Sequence, residues 1–486
     1  MLVRKLVLTA LAITFLSSPM SIFAQDSGAL LDLLVRKKLI TAQEAEEVRS
    51  ELTKEATETP AGKLKLSNPI TELELYGDAR LRYDNRSGET VSADSQQRSR
   101  ERYRLRIGLR GILMDDWFFG VRLETSTSSR STNVTIADES TGGPFAKTSD
   151  GIGVGQAYLG YKGFKDITLT AGRMPNPLVT TQMLWDIDIN PEGAAEQWKH
   201  TFTFGSSDSE PATESYTKDG TALPGKQKKE KKADGQAFKI DVFANFAQFV
   251  YDDENPENPI GAAPANIPNT DAFLLAWQVG AKFTFPSGLY AQFAPTLYNY
   301  TGTGDSFNTH FQGGDPTLSN AASIAQNQTG VNSLLVFDMP MEIGWKLGEI
   351  PMRFFADFAV NLEGDDRALA AGHPDKGDQR YAYQVGIGAG QLKKKGQWQV
   401  NAFWQHQEQF SLDPNLIDTE FFDTKLNLEG VGVTVAYMLS DAVWVQLLYT
   451  HAWRIDDALG TGGGGDVGIN PTETYQLFQA DLNVKF

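Results

Sequence analysis

A hydrophobic period of two governs the chain from Ile70 to its end, and it restarts about sixteen times. In the stretch LELYGDARLRY, Leu75, Gly77, Ala79, Leu81 and Tyr83 fall on one face of a strand; Tyr76, Asp78, Arg80 and Arg82 fall on the other. In RERYRLRIGLRG, Tyr103, Leu105, Ile107 and Leu109 alternate with Arg102, Arg104, Arg106 and Arg110. One face is apolar and the other densely cationic. A soluble sandwich shows the same alternation, so the pattern sets strands without setting their surroundings. Comparable strands are expected at about 117–128, 153–163, 166–173, 196–206, 236–251, 271–285, 288–300, 332–347, 350–363, 379–392, 397–409, 421–438, 442–455 and 474–486. Many are long enough to cross a bilayer at a tilt.

The connections decide the surroundings. MDD (114–116), GFKD (163–166), FPSG (285–288), LGEI (347–350), KKKGQ (393–397) and LSDA (439–442) are short. Between them lie long polar loops at 85–98, 126–151, 174–195, 252–270, 301–331, 364–378, 410–420 and 456–473. Short turns at one end and long loops at the other mark an outer-membrane barrel. The expected fold is an all-β membrane protein: an antiparallel transmembrane β-barrel of about 16 strands, with both chain ends on the short-turn, periplasmic side. No run reaches the roughly 20 apolar residues that a spanning helix needs. One connection breaks the rule. Residues 207–235, which contain KQKKEKK, stand where a short turn belongs and are read as a solvated Lys-rich insertion.

Three segments precede the barrel domain, 70–486. Residues 1–24 read as a signal peptide, with basic Arg4 and Lys5, an apolar core from Leu6 to Leu16, and cleavage after Ala24. No Cys follows, which excludes a lipoprotein. Residues 25–57 are a periplasmic helical segment, a coiled coil or helix-turn-helix. Leu30, Leu31, Leu34 and Val35 form its stripe, and Thr41 with Glu44 a capping box. It either pairs with copies of itself or packs near the pore mouth, or it is a frayed tail. Residues 58–69 are a linker.

The C-terminal strand YQLFQADLNVKF places Phe478, Ala480, Leu482, Val484 and Phe486 on one face. A last strand of this kind ending in Phe resembles the signal by which outer-membrane barrels are recognised for assembly. Trp117, Trp277, Trp398, Trp404 and Tyr437 suit the aromatic girdles at the membrane interfaces. The chain has no Cys, which excludes disulfides, zinc–thiolate sites and Cys nucleophiles. Its net charge of −17 argues against nucleic acid as a partner. The five histidines are scattered and no motif ties one to a serine, so an enzyme is not expected, nor a cofactor or metal.

With these features the chain resembles the "putative porin" family of Gram-negative outer-membrane β-barrel proteins. The matching stretches are LLDLLVRKKLITAQEAEE, YGDARLRY, RYRLRIGLRG, QAYLGYK, TAGRMPNP, LWDIDINPEGAA and the terminal Phe strand. The resemblance implies a barrel channel for ions and small hydrophilic solutes in the outer membrane of a Gram-negative bacterium. Its implied partners are membrane lipid and lipopolysaccharide, the barrel-assembly machinery and, by analogy with porins, two further copies in a homotrimer. The 207–235 insertion departs from the family pattern.

The loop 174–195 carries Pro175, Pro177 and Pro191 among Asx residues, which excludes a helix. A loop of this length among strands is commonly functional. Read as the third external loop folded into the lumen, it sets Asp186, Asp188 and Glu192 against a cationic wall of Arg80, Arg82, Arg102, Arg104, Arg106 and Arg122. Opposed charges orient dipolar solutes and bias ion selectivity, and Arg keeps its charge at any physiological pH. A structural role fits equally: the arginines pair with Glu101, Glu124 and the loop carboxylates and pin the loop. Gly108 and Gly120, on the lumen face, leave room for it. Asp186, Asp188 and Asn190 have calcium-loop spacing, but Pro191 and Gln197 stand where an EF-hand needs Gly and Glu. The expected function is a passive diffusion porin. The alternative is a substrate-specific channel, or a structural barrel that anchors a periplasmic partner through its N-terminal helices.

Overall fold

The computed structural model describes residues 67–90, 92–126, 128, 131–137, 151–205, 237–252, 272–302, 333–461, 466–467, 469 and 471–486. The signal peptide, the helical segment and the Lys-rich insertion lie outside these residues. The chain divides into two units, Met1–Ser67 and Asn68–Phe486, and the fold below is that of the second.

Sixteen staves follow in order: β1 (Ile70–Glu89), β2 (Ser95–Leu113), β3 (Trp117–Thr125), β4 (Ile152–Tyr161), β5 (Ile167–Arg173), β6 (Glu192–Phe204), β7 (Phe238–Asp252), β8 (Ala272–Thr284), β9 (Tyr290–Phe293 and Thr296–Gly302), β10 (Leu335–Asp338 and Met341–Leu347), β11 (Ile350–Asn361), β12 (Tyr381–Gly390), β13 (Trp398–Gln407), β14 (Leu428–Met438), β15 (Val443–Arg454) and β16 (Thr474–Lys485). A two-residue strand, Val134–Thr135, lies against β2, and a short helix, α1 (Gly364–Ala370), follows β11. Each stave pairs antiparallel with its neighbours in sequence, and β16 returns to pair along β1. The sheet is therefore a closed antiparallel barrel, as the alternation of connections requires.

The period of two assigns the faces. Leu75, Leu81, Leu105, Ile107, Leu109, Val121 and Leu123 are exposed on the outer wall. Arg82, Asp84, Arg102, Arg104 and Arg110, on the alternate positions, are buried inside. Trp117, Trp398 and Tyr437 are exposed on the outer face near the short turns. Trp404 is instead half-buried, 5.2 Å from the ring of Tyr383.

Four strand boundaries differ from the expected ones by four residues or more. The loop 85–98 does not exist: β1 and β2 continue to Glu89 and from Ser95. At about 3.4 Å per residue they outrun a hydrocarbon band of about 25 Å. Their ends are held by polar pairs such as Asn85 with Ser99 and Arg100 with Asp84. β6 starts at Glu192, not 196, because Pro191 ends the preceding loop. β14 starts at Leu428, not 421.

Prolines explain why β9 and β10 are each broken once. Pro295 and Pro340 have no N–H to give to the ladder, and the break falls at the same level in both staves. Their carbonyls still accept, from Val279 N at 3.1 Å and Ala294 N at 3.1 Å.

At the seam, Gly77 and Phe486 exchange both backbone hydrogen bonds, at 2.9 and 3.0 Å. The carbonyl oxygen of Arg106 and the Phe486 ring together occupy the space a Cβ on Gly77 would take. Gly77→Val is expected to weaken closure by about 1–3 kcal/mol through this overlap. The fraction of barrel that stays folded on an unheated denaturing gel checks this. Phe486→Ala in the same background should restore the ring's share of the loss; no restoration would assign the whole of it to the Arg106 carbonyl.

Candidate pore constriction

Residues 174–191 enter the barrel after β5 because their apolar side chains find cover there. Leu178, Met183 and Trp185 are almost fully buried, against Phe249, Leu274 and Tyr298 of the inner wall. Each such side chain contributes about 1.5–3 kcal/mol when removed from water. Polar anchors fix the path. Val179 donates to Gln278 Oε1 at 2.9 Å and accepts from Gln278 Nε2 at 2.8 Å. Thr181 donates to Asp357. The indole of Trp185 donates to the Ile189 carbonyl at 3.1 Å, and Gln156 donates to Asn190 at 2.9 Å.

A second segment shares the lumen. Residues 408–427, expected as an external loop followed by strand, fold inward instead. Phe410, Leu412, Ile417, Phe422 and Leu426 are buried, and Leu412, Leu416, Ile417 and Leu426 belong to the same apolar cluster as Leu178 and Trp185. The two loops grip each other. Asp186 N donates to the Leu416 carbonyl at 2.6 Å, Gln407 Nε2 to the Met183 carbonyl at 2.9 Å, and Gln182 Nε2 to Asp418 Oδ2 at 2.6 Å. Its apolar residues, Phe410, Leu412, Leu416, Ile417, Phe421, Phe422 and Leu426, keep no strand or helix period, which is why the sequence conceals the inward fold. Asp418 and Glu420 are thus functional candidates that the sequence did not flag.

Facing both loops is the arginine wall. In the β1–β2 register Arg80 stands opposite Arg104, and Arg82 opposite Arg102. Like charges directly opposed destabilise a sheet unless anions intervene. Those anions come from three places. Asp78, on β1, accepts from Arg104 and Arg106, each at 2.7 Å. Asp481, on β16, accepts from Arg82 Nε at 2.7 Å and lies 3.6 Å from Arg80. The loops supply the rest: Asp188 lies 3.6 Å from Arg104 and 3.4 Å from Arg106, and Glu420 pairs with Arg82. The wall therefore holds the loops in place and faces the lumen at the same time.

Asp186 and Asp188 thus come to the wall or beside it. Glu192 does not: it heads β6, exposed, in an ion pair with Arg173 at 2.6 Å. Arg122 pairs with Glu124 at 2.9 Å. Glu101 falls on the outer face opposite Tyr83, away from the arginines. Gly108 and Gly120 make room for Tyr76 and Tyr158 of the wall rather than for the loop. Tyr76 in turn donates to Gln156, which holds Asn190. Phe478 and Phe486 are exposed on the outer wall, where Leu482 and Val484 share their face.

Burial and crowding set the loop carboxyls apart. Burial and the charges of Asp418 and Asp188 push Asp186 well above the usual carboxylate range. Burial and Glu420 raise Asp418 to about 7. Asp188 is buried too, but Arg104 and Arg106 outweigh that and hold it at about 2. Glu420 is lowered against its burial by Arg82 and Arg80. Between loops and wall lies a polar cavity of about 250 Å³, bordered by Arg80, Arg102, Gln182, Asp186, Asp188, Asp418 and Glu420, with Gln399, Asn401 and Gln446 also lining it. Ile187, 63% exposed, sits among these acids.

The sequence matches the family model described as "Putative porin" over residues 88–346, more than half of the chain. The chain belongs to this family. Its activity is that of a non-enzymatic porin-like channel, and its place is the outer membrane. No curated protein sequence matches it. Among solved structures it is similar to OprB of Pseudomonas putida, at 11% identity over 85% of this chain and 94% of that one, with a TM-score of 0.43. It is similar to OmpF of Salmonella typhi at 10% identity over 87% and 100%, with a TM-score of 0.40. An anion-selective porin from Comamonas acidovorans shares 10% identity over 85% and 99%, with a TM-score of 0.41.

Proposed function

We propose that this porin passes ions and small hydrophilic solutes between the arginine wall and the acidic edges of residues 174–191 and 408–427. The observation that carries the reading is the opposition of charge: Asp186, Asp188, Asp418 and Glu420 on the loops, Arg80, Arg82, Arg102, Arg104 and Arg106 on the wall. Charged groups facing one another across a narrow passage set ion selectivity and align dipolar solutes. On this reading the chain is exported by its signal peptide, is inserted by the barrel-assembly machinery through the strand that carries Phe478, Leu482, Val484 and Phe486, and forms a homotrimer among lipid and lipopolysaccharide. Single-channel recording in a planar bilayer tests it. Conductance in steps of three supports a trimeric pore, and silence from folded protein would end the reading. The substrate-specific alternative also has an observation behind it, because two loops, not one, bring an apolar core into the lumen.

Proton uptake gives a second test. An ordinary Asp titrates near 3.9, whereas Asp418 sits at about 7 and Asp186 is raised as well. Between about pH 4 and pH 7 the folded barrel keeps protons that the unfolded chain has released. The pair therefore costs stability as pH rises through that window, and the share due to Asp418 levels off above about 7. In the pore, the same rise adds negative charge. Facing the pair, Asp188 and Glu420 stay ionised, and Arg80 and Arg102 stay cationic. Selectivity is expected to move toward cations between pH 5.5 and 8.5, read as reversal potential under a salt gradient. Asp418→Asn should flatten most of the response; an unchanged response would rule out this pair as its source.

A further inference from the structure

Among the described residues, most charges of the inner wall and loops have a partner of opposite sign in contact; Arg102 on the wall, and Asp186 and Asp418 on the loops, do not, and all three border one cavity. Arg80, Arg82, Arg86, Arg100, Arg104, Arg106, Arg110 and Arg122 each have a carboxylate partner. Arg102 has no carboxylate in contact among the described residues; Asp84 and Asp466 act on it only from a distance. It is 7% exposed, donates only to Ser131 Oγ at 3.1 Å and the Asn133 carbonyl at 2.8 Å, and its Nε has no partner. On the loop side, Asp188 and Glu420 have arginines, but Asp186 and Asp418 have no cation among the described residues. Asp186 accepts from the backbone N–H of Asp188 at 2.8 Å and of Thr419 at 3.3 Å. Asp418 accepts from Glu420 N and Gln182 Nε2, each at 2.6 Å. All three groups border the same cavity of about 250 Å³. At about 30 Å³ per water this is room for about eight waters, hence for a solute of about that many heavy atoms.

We propose that this cavity is a binding subsite for a small zwitterion, its carboxylate on Arg102 with Arg80 beside it and its ammonium on Asp186 and Asp418. An anion alone leaves the carboxyl pair without a cation in contact, and a cation alone leaves Arg102 without a carboxylate in contact. The amides of Gln182, Gln399 and Asn401 suit the polar remainder of such a molecule. This deepens the channel reading, but binding is measurable without it.

The test is calorimetry on the detergent-solubilised full barrel at pH 8, with 4-aminobutanoate as probe and butanoate and butylammonium as its two halves. The zwitterion is expected to bind at least about tenfold more tightly than either half. Arg102→Gln should weaken 4-aminobutanoate by about tenfold and leave butylammonium unchanged, while Asp418→Asn should weaken the zwitterion and butylammonium and spare butanoate. A general loss of fold cannot produce that crossed pattern. Halves that bind as well as the whole, binding indifferent to Arg102→Gln, or no binding at all would each overturn the subsite. Bilayer recording of the same preparation separates the two readings: binding without conductance sinks the channel and keeps the subsite, and conductance without binding does the reverse.

Discussion

Arg86→Ala is expected to destabilise the loop packing by about 3–5 kcal/mol, the cost of breaking a buried ionic cluster by removing one partner. Arg86 is 1% exposed and ties three parts of the chain together. From β1 it donates to Asp84 of its own strand at 3.2 Å, to the Thr419 carbonyl at 2.8 Å and to Asp423 at 3.0 Å, and it lies 3.3 Å from Asp466. Asp423 in turn accepts from the backbone N–H groups of Asp466 and Val467, at 2.8 and 3.1 Å. Burial already raises Asp423, and without Arg86 it would hold its proton. The barrel itself does not depend on this cluster, because its ladder of strands is complete without it. Limited proteolysis should therefore cut within 408–427 in the variant, while the strands survive. Arg86→Lys should recover only part of the loss, since an ammonium cannot reproduce a planar fork serving several acceptors. A variant as protease-resistant as wild type would show that the apolar cluster alone seats the loop.

The second large effect is electrical. Asp188→Asn removes the carboxylate shared by Arg104 and Arg106 and leaves them Asp78 alone. A unit charge about 10 Å from an ion's path, at an effective dielectric constant of about 20, shifts that ion's energy by about 1.7 kcal/mol. The cation-to-anion permeability ratio is then expected to fall by roughly tenfold or more, since the two signs respond in opposite directions. Reversal potentials in a potassium chloride gradient measure it, and high salt should shrink the difference by screening. Glu192→Gln serves as the contrast: its partner is Arg173 and it stands exposed at the head of β6, so the ratio should stay within about twofold of wild type. Equal shifts from both substitutions would mean that proximity to the wall does not set selectivity.

The division between what the sequence disclosed and what it hid follows from the range of the information. Strand faces were legible because alternation is local: Leu105 beside Arg104 already says which side is which. The inward loop at 174–191 was legible because Pro175, Pro177 and Pro191 forbid the regular alternatives. The partners of the arginines were not. Asp481 lies opposite Arg82 only through a register between the first and last staves, which neither strand carries alone. The 408–427 loop was hidden for a related reason. Its apolar residues are covered by another loop, and coverage of that kind leaves no period. Glu192 misled by its type: an acid in an acid-bearing stretch, it is turned aside by the start of β6.

The pairing of β1 with β16 has a consequence for how the molecule comes to be made. All the other seams join neighbours along the chain, but this one joins residues such as Arg80 and Asn483, 403 positions apart. Until the last twelve residues arrive, the sheet has two free edges, and free edges recruit foreign strands. Those residues also bring Asp481 to a hairpin whose opposed arginines repel each other until then. A slip of one residue in the final pairing would turn Asp481 toward lipid and abandon Arg82, and a slip of two in one direction would set it against Asp84. The ion pair at the seam thus doubles as a register mark: it penalises a slip of one residue and a slip of two toward Asp84 in the pairing that closes the barrel.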